Sequence, residues 1–210
     1  MLLYLVRHGQ SRANADFSCR EVDCELTALG QEQAERVAAR LSGAGISQVL
    51  SSPYRRTVAT AREIARACGA PLALLPSSHE HHGVTPADWT PPTRAELLWR
   101  YPDLAIPSDM PESTWHQLPE TAEIVYARML VVAESLRTQY RPDDKVTLVS
   151  HASPIQQLVA AATGAYSSLD ATRLVIGNAS LTILDLGVTP ARLESLGQAE
   201  FLQTAEAVLL

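Results

Sequence analysis

Three short polar clusters in this chain combine residue types able to hold and transfer an anion: Arg7-His8-Gly9, Ser51-Ser52 followed by Arg56, and Ser150-His151. A guanidinium fork can bond two anionic oxygens at once. A neutral imidazole can attack phosphorus and carry the group as a covalent intermediate. A carboxylic acid can protonate the departing alkoxide oxygen. Phosphoryl transfer asks mainly for positioning and for stabilisation of charge on three equatorial oxygens, so this scheme needs no metal and no cofactor. The formal net charge of -6 argues against chain-wide attraction to nucleic acid or an anionic membrane. An anionic substrate must therefore be drawn in by a local cluster of cations.

The elements around these clusters explain how they could meet. Leu2 to Val6 is an apolar run without helical period, read as a buried strand with Arg7-His8-Gly9 at its carboxyl end. Thr27 caps a helix that Gly43 and Gly45 close. Ile46 to Leu50 is a second strand, and Pro53 suits the first turn of the following helix, which carries Arg56 and Thr60. Leu72 to Leu75 is a third strand. Glu120 to Tyr140 reads as a long helix, Val146 to Val149 as a fourth strand, and Pro154 to Thr163 as a helix stopped by Gly164. Leu181 to Leu186 and Arg192 to Leu196 form a final strand pair. Alternating strands and helices, with mostly continuous apolar strands, predict an α/β three-layer sandwich: a largely parallel central sheet with helices on both faces. In such a sheet ligands bind beyond the carboxyl ends of strands, which is where all three clusters fall. The 210 residues, 46% hydrophobic and 19% charged, suit one soluble domain over 1–210.

Leu5-Val6-Arg7-His8-Gly9-Gln10-Ser11 with Asn14 resembles the signature of the histidine phosphatase superfamily, the phosphoglycerate mutase-like proteins. Leu26 to Ala34, Ser51 to Ala61, Val149-Ser150-His151-Ala152 and Gly177 to Leu181 resemble further segments of that family, in its order. The resemblance spans about residues 2–186. It implies that His8 is the nucleophile, that Arg7, Arg56 and His151 cradle the phosphoryl group, that Asn14 helps bind it, and that Arg56 rather than Arg55 is the second arginine.

Three departures from the family pattern stand out. Ala152 replaces a glycine after the second histidine, and its backbone N–H can still serve phosphate. Pro53-Tyr54 replaces aspartate-leucine, a change expected not to touch the chemistry. The general-acid segment reads Ser78-His79-Glu80-His81-His82-Gly83-Val84. Glu80 is favoured as the acid, because a desolvated carboxyl beside phosphate can keep its proton. An ungapped match would select His79 instead, and Asp88 is a more distant choice. His79, His81 and His82 together also invite a zinc or iron site; the alternative is that they line the pocket mouth. Arg12 is either a substrate contact or a surface charge. Glu123 and Arg128 resemble a recurrent pair of the family, without a catalytic role.

Pro86, Pro91, Pro92, Pro102, Pro107, Pro111 and Pro119 break up the stretch from 76 to 119, read as a lid or insertion with a short helix at Thr93 to Trp99. Trp89, Trp99, Tyr101 and Trp115 in it offer either stacking surface for a leaving group or the lid's own core. The reading that follows is a metal-independent hydrolase of a small phosphorylated metabolite, working through phosphohistidine. The other readings are a mutase, a metal-dependent hydrolase and a non-catalytic phospho-ligand binder. Three cysteines, Cys19, Cys24 and Cys68, make a poor disulfide framework. With no signal-like or membrane-length segment, a cytoplasmic protein is expected, without nucleic-acid or membrane partners; a homodimer is left open.

Overall fold

A computed structural model of the chain describes residues 1–16, 18–19, 21–83, 89–112, 115 and 119–203, the side chains of 168 and 169 excepted. Asp88 lies outside the described residues. The elements are β1 (Leu2–Arg7), α1 (Arg12–Ala15), α2 (Ala28–Leu41), β2 (Gln48–Ser51), α3 (Arg55–Cys68), β3 (Leu72–Leu74), α4 (Arg94–Arg100), α5 (Ala122–Gln139), β4 (Lys145–Ser150), α6 (Ala152–Thr163), α7 (Ser168–Ala171), β5 (Leu181–Asp185) and β6 (Arg192–Gln198). Six strands form one sheet in the order β3-β2-β4-β1-β5-β6. The first four run parallel, while β5 is antiparallel to β1, and β6 to β5. The sheet is thus mixed at one side, because the short link from Leu186 to Ala191 allows only a hairpin-like return.

Strand alternation sorts the core into two layers. Leu3, Leu5, Val146 and Leu148 face α5 and α6, packing on Val125, Met129, Val132, Ile155 and Leu158. Tyr4, Val6, Val49 and Val149 face α2 and α3, packing on Val37, Leu41, Ala61 and Ile64. Both faces of the parallel strands are covered, which is why they read as unbroken apolar runs.

Three helix starts near the site differ from the sequence expectation. Pro53 precedes α3 rather than opening it: Tyr54 is extended (φ -71°, ψ 145°) and serves as N-cap, its carbonyl taking the N–H of Thr57 and Val58. Conversely α6 begins at Ala152, with Pro154 inside its first turn, where a missing N–H costs nothing. Glu120 stays outside α5, which Thr121 caps by accepting the Ile124 N–H. The described part of 76–119 contains a 3-10 turn at Pro76–Ser78 and α4, and its backbone returns to the sheet edge through Ala105, which accepts the Leu74 N–H. It has its own apolar cluster, in which Leu97, Tyr101, Leu104, Met110 and Trp115 pack on Tyr54, Val58 and Leu74. Tyr101 and Trp115 are therefore core; Trp89 packs against that cluster, and Trp99 is 85% exposed. Among the described residues no helix is long and apolar enough to cross a membrane.

Candidate active site

Parallel register brings the three polar clusters to one rim. Arg7 pairs with Ser150, and Ser51 with Val149, so His8, Ser52 and His151 leave their strands side by side. The His8 N–H donates to the Ser150 carbonyl and the Ser52 N–H to the Val149 carbonyl, both at 3.0 Å. The turn after β1 is clamped by Gly9, whose N–H donates to Thr60 Oγ1 at 3.1 Å. Gly9 and Gly30 cross so closely that a Cβ on Gly9 would stand 2.2 Å from the Gly30 oxygen, and one on Gly30 would stand 1.9 Å from the Gln10 oxygen. Glycine at both positions is a packing requirement that holds β1's exit loop against α2.

The hydrogen bonds assign the imidazole tautomers. His8 Nδ1 lies 2.7 Å from the Gly9 carbonyl, which can only accept, so Nδ1 carries the proton. His8 Nε2 then presents a lone pair, and Arg56 Nε donates to it at 3.2 Å. His151 repeats the arrangement: Arg56 Nη2 donates to Nδ1 at 3.2 Å, while Nε2–H faces Ser52 Oγ at 2.9 Å. One buried guanidinium thus holds both lone pairs, and its Nη1 donates to the Val22 carbonyl at 2.9 Å. Burial and then the Arg56 charge hold both imidazoles far below the usual histidine range, so both stay neutral.

Arg7 lies beside this pair. Its Nη1 donates to the Ile176 carbonyl at 2.8 Å, and its buried Nε has no hydrogen-bond partner among the described residues. Arg7 also lines the polar cavity, and a guanidinium there with an N–H still to be satisfied suits an anion. Asn14 Oδ1 accepts from Ser11 N, Ser11 Oγ and Asn178 Nδ2 at 3.0–3.1 Å. Its amide nitrogen is the end left for a ligand. The cavity measures about 340 Å³; Arg7, His8, Asn14, Arg56 and Glu80 line it, and His81 and His82 stand at its wall. His151 is fully buried behind Arg56 and Glu80. Ala152 opens α6 and packs against the core rather than lining the cavity.

Of the candidates for the acid position, Glu80 faces the cradle. Its Oε2 lies 3.4 Å from His151 Nδ1 and 3.9 Å from Arg56 Nη2, and its Oε1 accepts the His81 N–H at 2.9 Å. Burial raises its pKa, against the pull of Arg56, the His81 N–H and Arg7. His79 turns the other way, its ring against Trp115 and 3.8 Å from Glu120. His81 bonds to Ser153 and the Glu120 carbonyl, and His82 to Tyr54. The histidine cluster suggested by the sequence therefore diverges and shares no ion. Among the described residues one group could hold a metal, His8, Glu80 and His151, with ligand atoms within 4.8 Å of one another. The Arg56 guanidinium occupies both imidazole lone pairs and Arg7 adds a second positive charge, so this donor set fits an anion and repels a dication.

Several residues outside the expected set shape the site. Tyr54, expected to stay clear of the chemistry, is buried with the Arg56 guanidinium 4.6 Å over its ring and the His151 ring edge-on at 5.0 Å. An aromatic at a position where the family carries an aliphatic was a visible signal, but its direction depends on the extended N-cap. Asn178 donates to both the His8 carbonyl and Asn14, tying the late turn to β1. Arg55 points outward, within 4 Å of Glu21, Asp23 and Glu25, and Arg12 is exposed at the start of α1. Arg128 pairs with Glu120 and not with the exposed Glu123, because Glu120 lies just before α5 where the chain folds back over it. Cys24 is buried, and Cys19 and Cys68 are partly so; all three are free thiols.

The profile of the histidine phosphatase superfamily (branch 1) matches residues 3–198. A Cronobacter sakazakii protein named probable phosphoglycerate mutase GpmB is 29% identical over 199 residues, covering 90% of this chain and 86% of that one. The same-named protein of Enterobacter sp. strain 638 is 43% identical over 79 residues, and that match spans only 37% of each chain. Among solved structures, a mycobacterial glucosyl-3-phosphoglycerate phosphatase, Rv2419c, in complex with VO3, superposes with a TM-score of 0.68 at 26% identity, covering 94% of this chain and 99% of that one. Bacillus stearothermophilus YhfR, at 21% identity with a TM-score of 0.72, covering 96% and 99%, shares the fold.

Proposed function

The chain belongs to the histidine phosphatase superfamily, and from that membership and the site's geometry we propose that it hydrolyses the phosphomonoester of a small metabolite through a phosphohistidine on His8. The single observation behind this reading is the tautomer of His8. A neutral imidazole with Nδ1–H tied to Gly9 and the Nε2 lone pair aimed at a buried guanidinium is a nucleophile held in an anion cradle.

The steps follow from the hydrogen bonds. An arriving phosphate offers oxygens to Arg56 and to the unpaired Arg7 Nε, which draws the Arg56 guanidinium off both imidazoles. His8 Nε2 attacks phosphorus, the P–O bond to the leaving group breaks, and Glu80 Oε2 gives its proton to the departing oxygen. Glu80 is by then a carboxylate and takes a proton from the incoming water, whose oxygen displaces His8 from phosphorus. Inorganic phosphate and the original protonation state result. Asn14 bonds an equatorial oxygen through its amide nitrogen, and charge on the three oxygens is met by Arg7 and Arg56. His151, released by Arg56, bonds one only after its proton has moved to Nδ1, with Nε2 then accepting from Ser52 Oγ. The segment 76–119 acts as the lid that admits the leaving group.

The second reading is phosphoglycerate mutase-type transfer, in which the phosphohistidine returns its group to the sugar acid. The name of the Cronobacter relative speaks for it. A screen of cellular phosphomonoesters with chelator-treated protein separates the two: the phosphatase reading expects inorganic phosphate, and a mutase gives isomeric ester. Rapid quench with labelled substrate should trap label on the wild type and none on His8→Ala, with turnover reduced by at least about 10³. Label recovered on another residue would end the proposal.

A further inference from the structure

Accepting Glu80 as the acid, the segment that carries it has a support which the reaction scheme does not use. Residues 77–82 form no strand and no helix beyond the 3-10 turn, yet their backbone is bonded almost residue by residue. Arg128 of α5 donates through Nη1 to the Ser77 carbonyl at 2.6 Å and the His79 carbonyl at 3.2 Å. Its Nε and Nη2 form a fork on the Glu120 carboxylate at 2.9 and 2.7 Å. Ser150 Oγ, next to His151, donates to the intervening Ser78 carbonyl at 2.7 Å. Glu120 holds the far end: its carbonyl accepts from His81 Nε2 at 3.0 Å and its N–H donates to the His82 carbonyl at 3.0 Å.

From this geometry we propose that Arg128 and Glu120 are positioning residues for Glu80. They pin the peptides on both sides of it, so that the His81 N–H meets Oε1 and leaves Oε2 as the proton-bearing oxygen toward the cradle. The pair touches neither phosphate nor leaving group; it acts through the backbone. Glu120 is 5% exposed, so the ion pair is shielded from solvent and fixed by two bonds rather than by charge alone. A lysine at 128 would supply charge without the fork that spans Glu120 and two carbonyls.

The test is a leaving-group ratio. Misplacing an acid by a fraction of an ångström slows substrates that need protonation at the leaving oxygen and leaves p-nitrophenyl phosphate, whose leaving group departs as an anion, nearly untouched. Arg128→Ala should lower kcat for an alkyl phosphate about tenfold or more, and that for p-nitrophenyl phosphate by no more than about threefold. Added guanidinium ion should restore the alkyl rate. Glu80→Gln/Arg128→Ala should be no slower on the alkyl ester than Glu80→Gln alone, since both act through one group. Equal losses on the two substrates, or losses that multiply in the double variant, would overturn the proposal. If Arg128→Ala does not fold, Arg128→Gln, which retains an amide donor for the carbonyls, is read by the same ratio. A Glu80→Gln variant without any leaving-group dependence would strike the acid assignment itself, and the positioning role with it.

Discussion

At the residue scale the site is governed by one guanidinium serving two imidazoles. In its resting position Arg56 occupies the lone pairs of His8 and His151, with the Glu80 carboxyl 3.9 Å away, and, with burial, it keeps both imidazoles uncharged. Burial shifts the two groups in opposite directions, Glu80 upward and His8 downward, which favours a carboxyl that keeps its proton beside an imidazole that stays neutral, as an acid and a nucleophile acting together near neutral pH require. On alkyl phosphates kcat should decline as the pH rises through the elevated Glu80 pKa, because the acid form is lost. Glu80→Gln should remove that limb and slow such esters by roughly 10², and p-nitrophenyl phosphate should show neither effect; pH profiles on the two substrates check this. Tyr54 contributes through its ring face under Arg56. A cation–π contact of this kind is worth about 0.5–2 kcal/mol, so Tyr54→Leu should reduce kcat/KM by roughly 2- to 30-fold at the usual 1.4 kcal/mol per decade. The loss should be alike for good and poor leaving groups, since Arg56 serves the phosphate and not the acid. A loss confined to alkyl esters would assign Tyr54 to the acid side of the site.

At the element scale, the carboxyl ends of β1, β2 and β4 supply Arg7-His8, Ser52 and Ser150-His151 because parallel strands in register end on one edge. This much was legible in the sequence: three apolar runs, each stopping in a polar cluster, define the rim before any coordinates are known. The segment 77–82 was not. It has no period, and what orders it is Arg128, about fifty residues away, and Glu120, left outside α5 by the Thr121 cap. The choice between His79 and Glu80 therefore could not be read from local spacing, since it depends on which side of an extended chain those partners hold. The crossing of Gly9 and Gly30 is a second element-scale constraint. Gly30→Ala places a methyl 1.9 Å from the Gln10 oxygen, backbone that cannot swing aside. It should destabilise the protein by about 3 kcal/mol or more, read as a shift in denaturant midpoint. Gly43→Ala, whose Cβ would meet nothing within 4 Å, is the matched control.

At the scale of the whole molecule, the buried neutral histidines couple stability to pH. In the unfolded chain imidazoles take up protons below about pH 6.5. In the folded chain His8 and His151 are held far lower and His82 to about 4. Below pH 6.5 the unfolded state binds more protons, so stability should fall with acidification, with a limiting slope of about 1.4 kcal/mol per pH unit for each fully buried histidine. Glu80 and Asp23 act oppositely, since their raised pKa values favour the folded state on the acid side, but they are two carboxyls against three histidines. Denaturation midpoints at pH 7, 6 and 5 should therefore decrease, and less so for His8→Gln. Midpoints that rise over this range would contradict the neutral tautomers assigned at the site.

The sequence by itself determined the sheet's two-faced burial, through continuous apolar strands, and the Arg7, His8, Arg56 and His151 set, through residue types placed at strand ends. Those are consequences of local order, since pattern and punctuation lie within a few residues. Tertiary structure alone decided that Tyr54 turns beneath Arg56, that Glu80 and not His79 meets the cradle, and that the three neighbouring histidines part company. Each of these is a question of side-chain direction in a stretch without periodicity, settled by partners distant in the chain whose hydrogen bonds exist only once the sheet has closed.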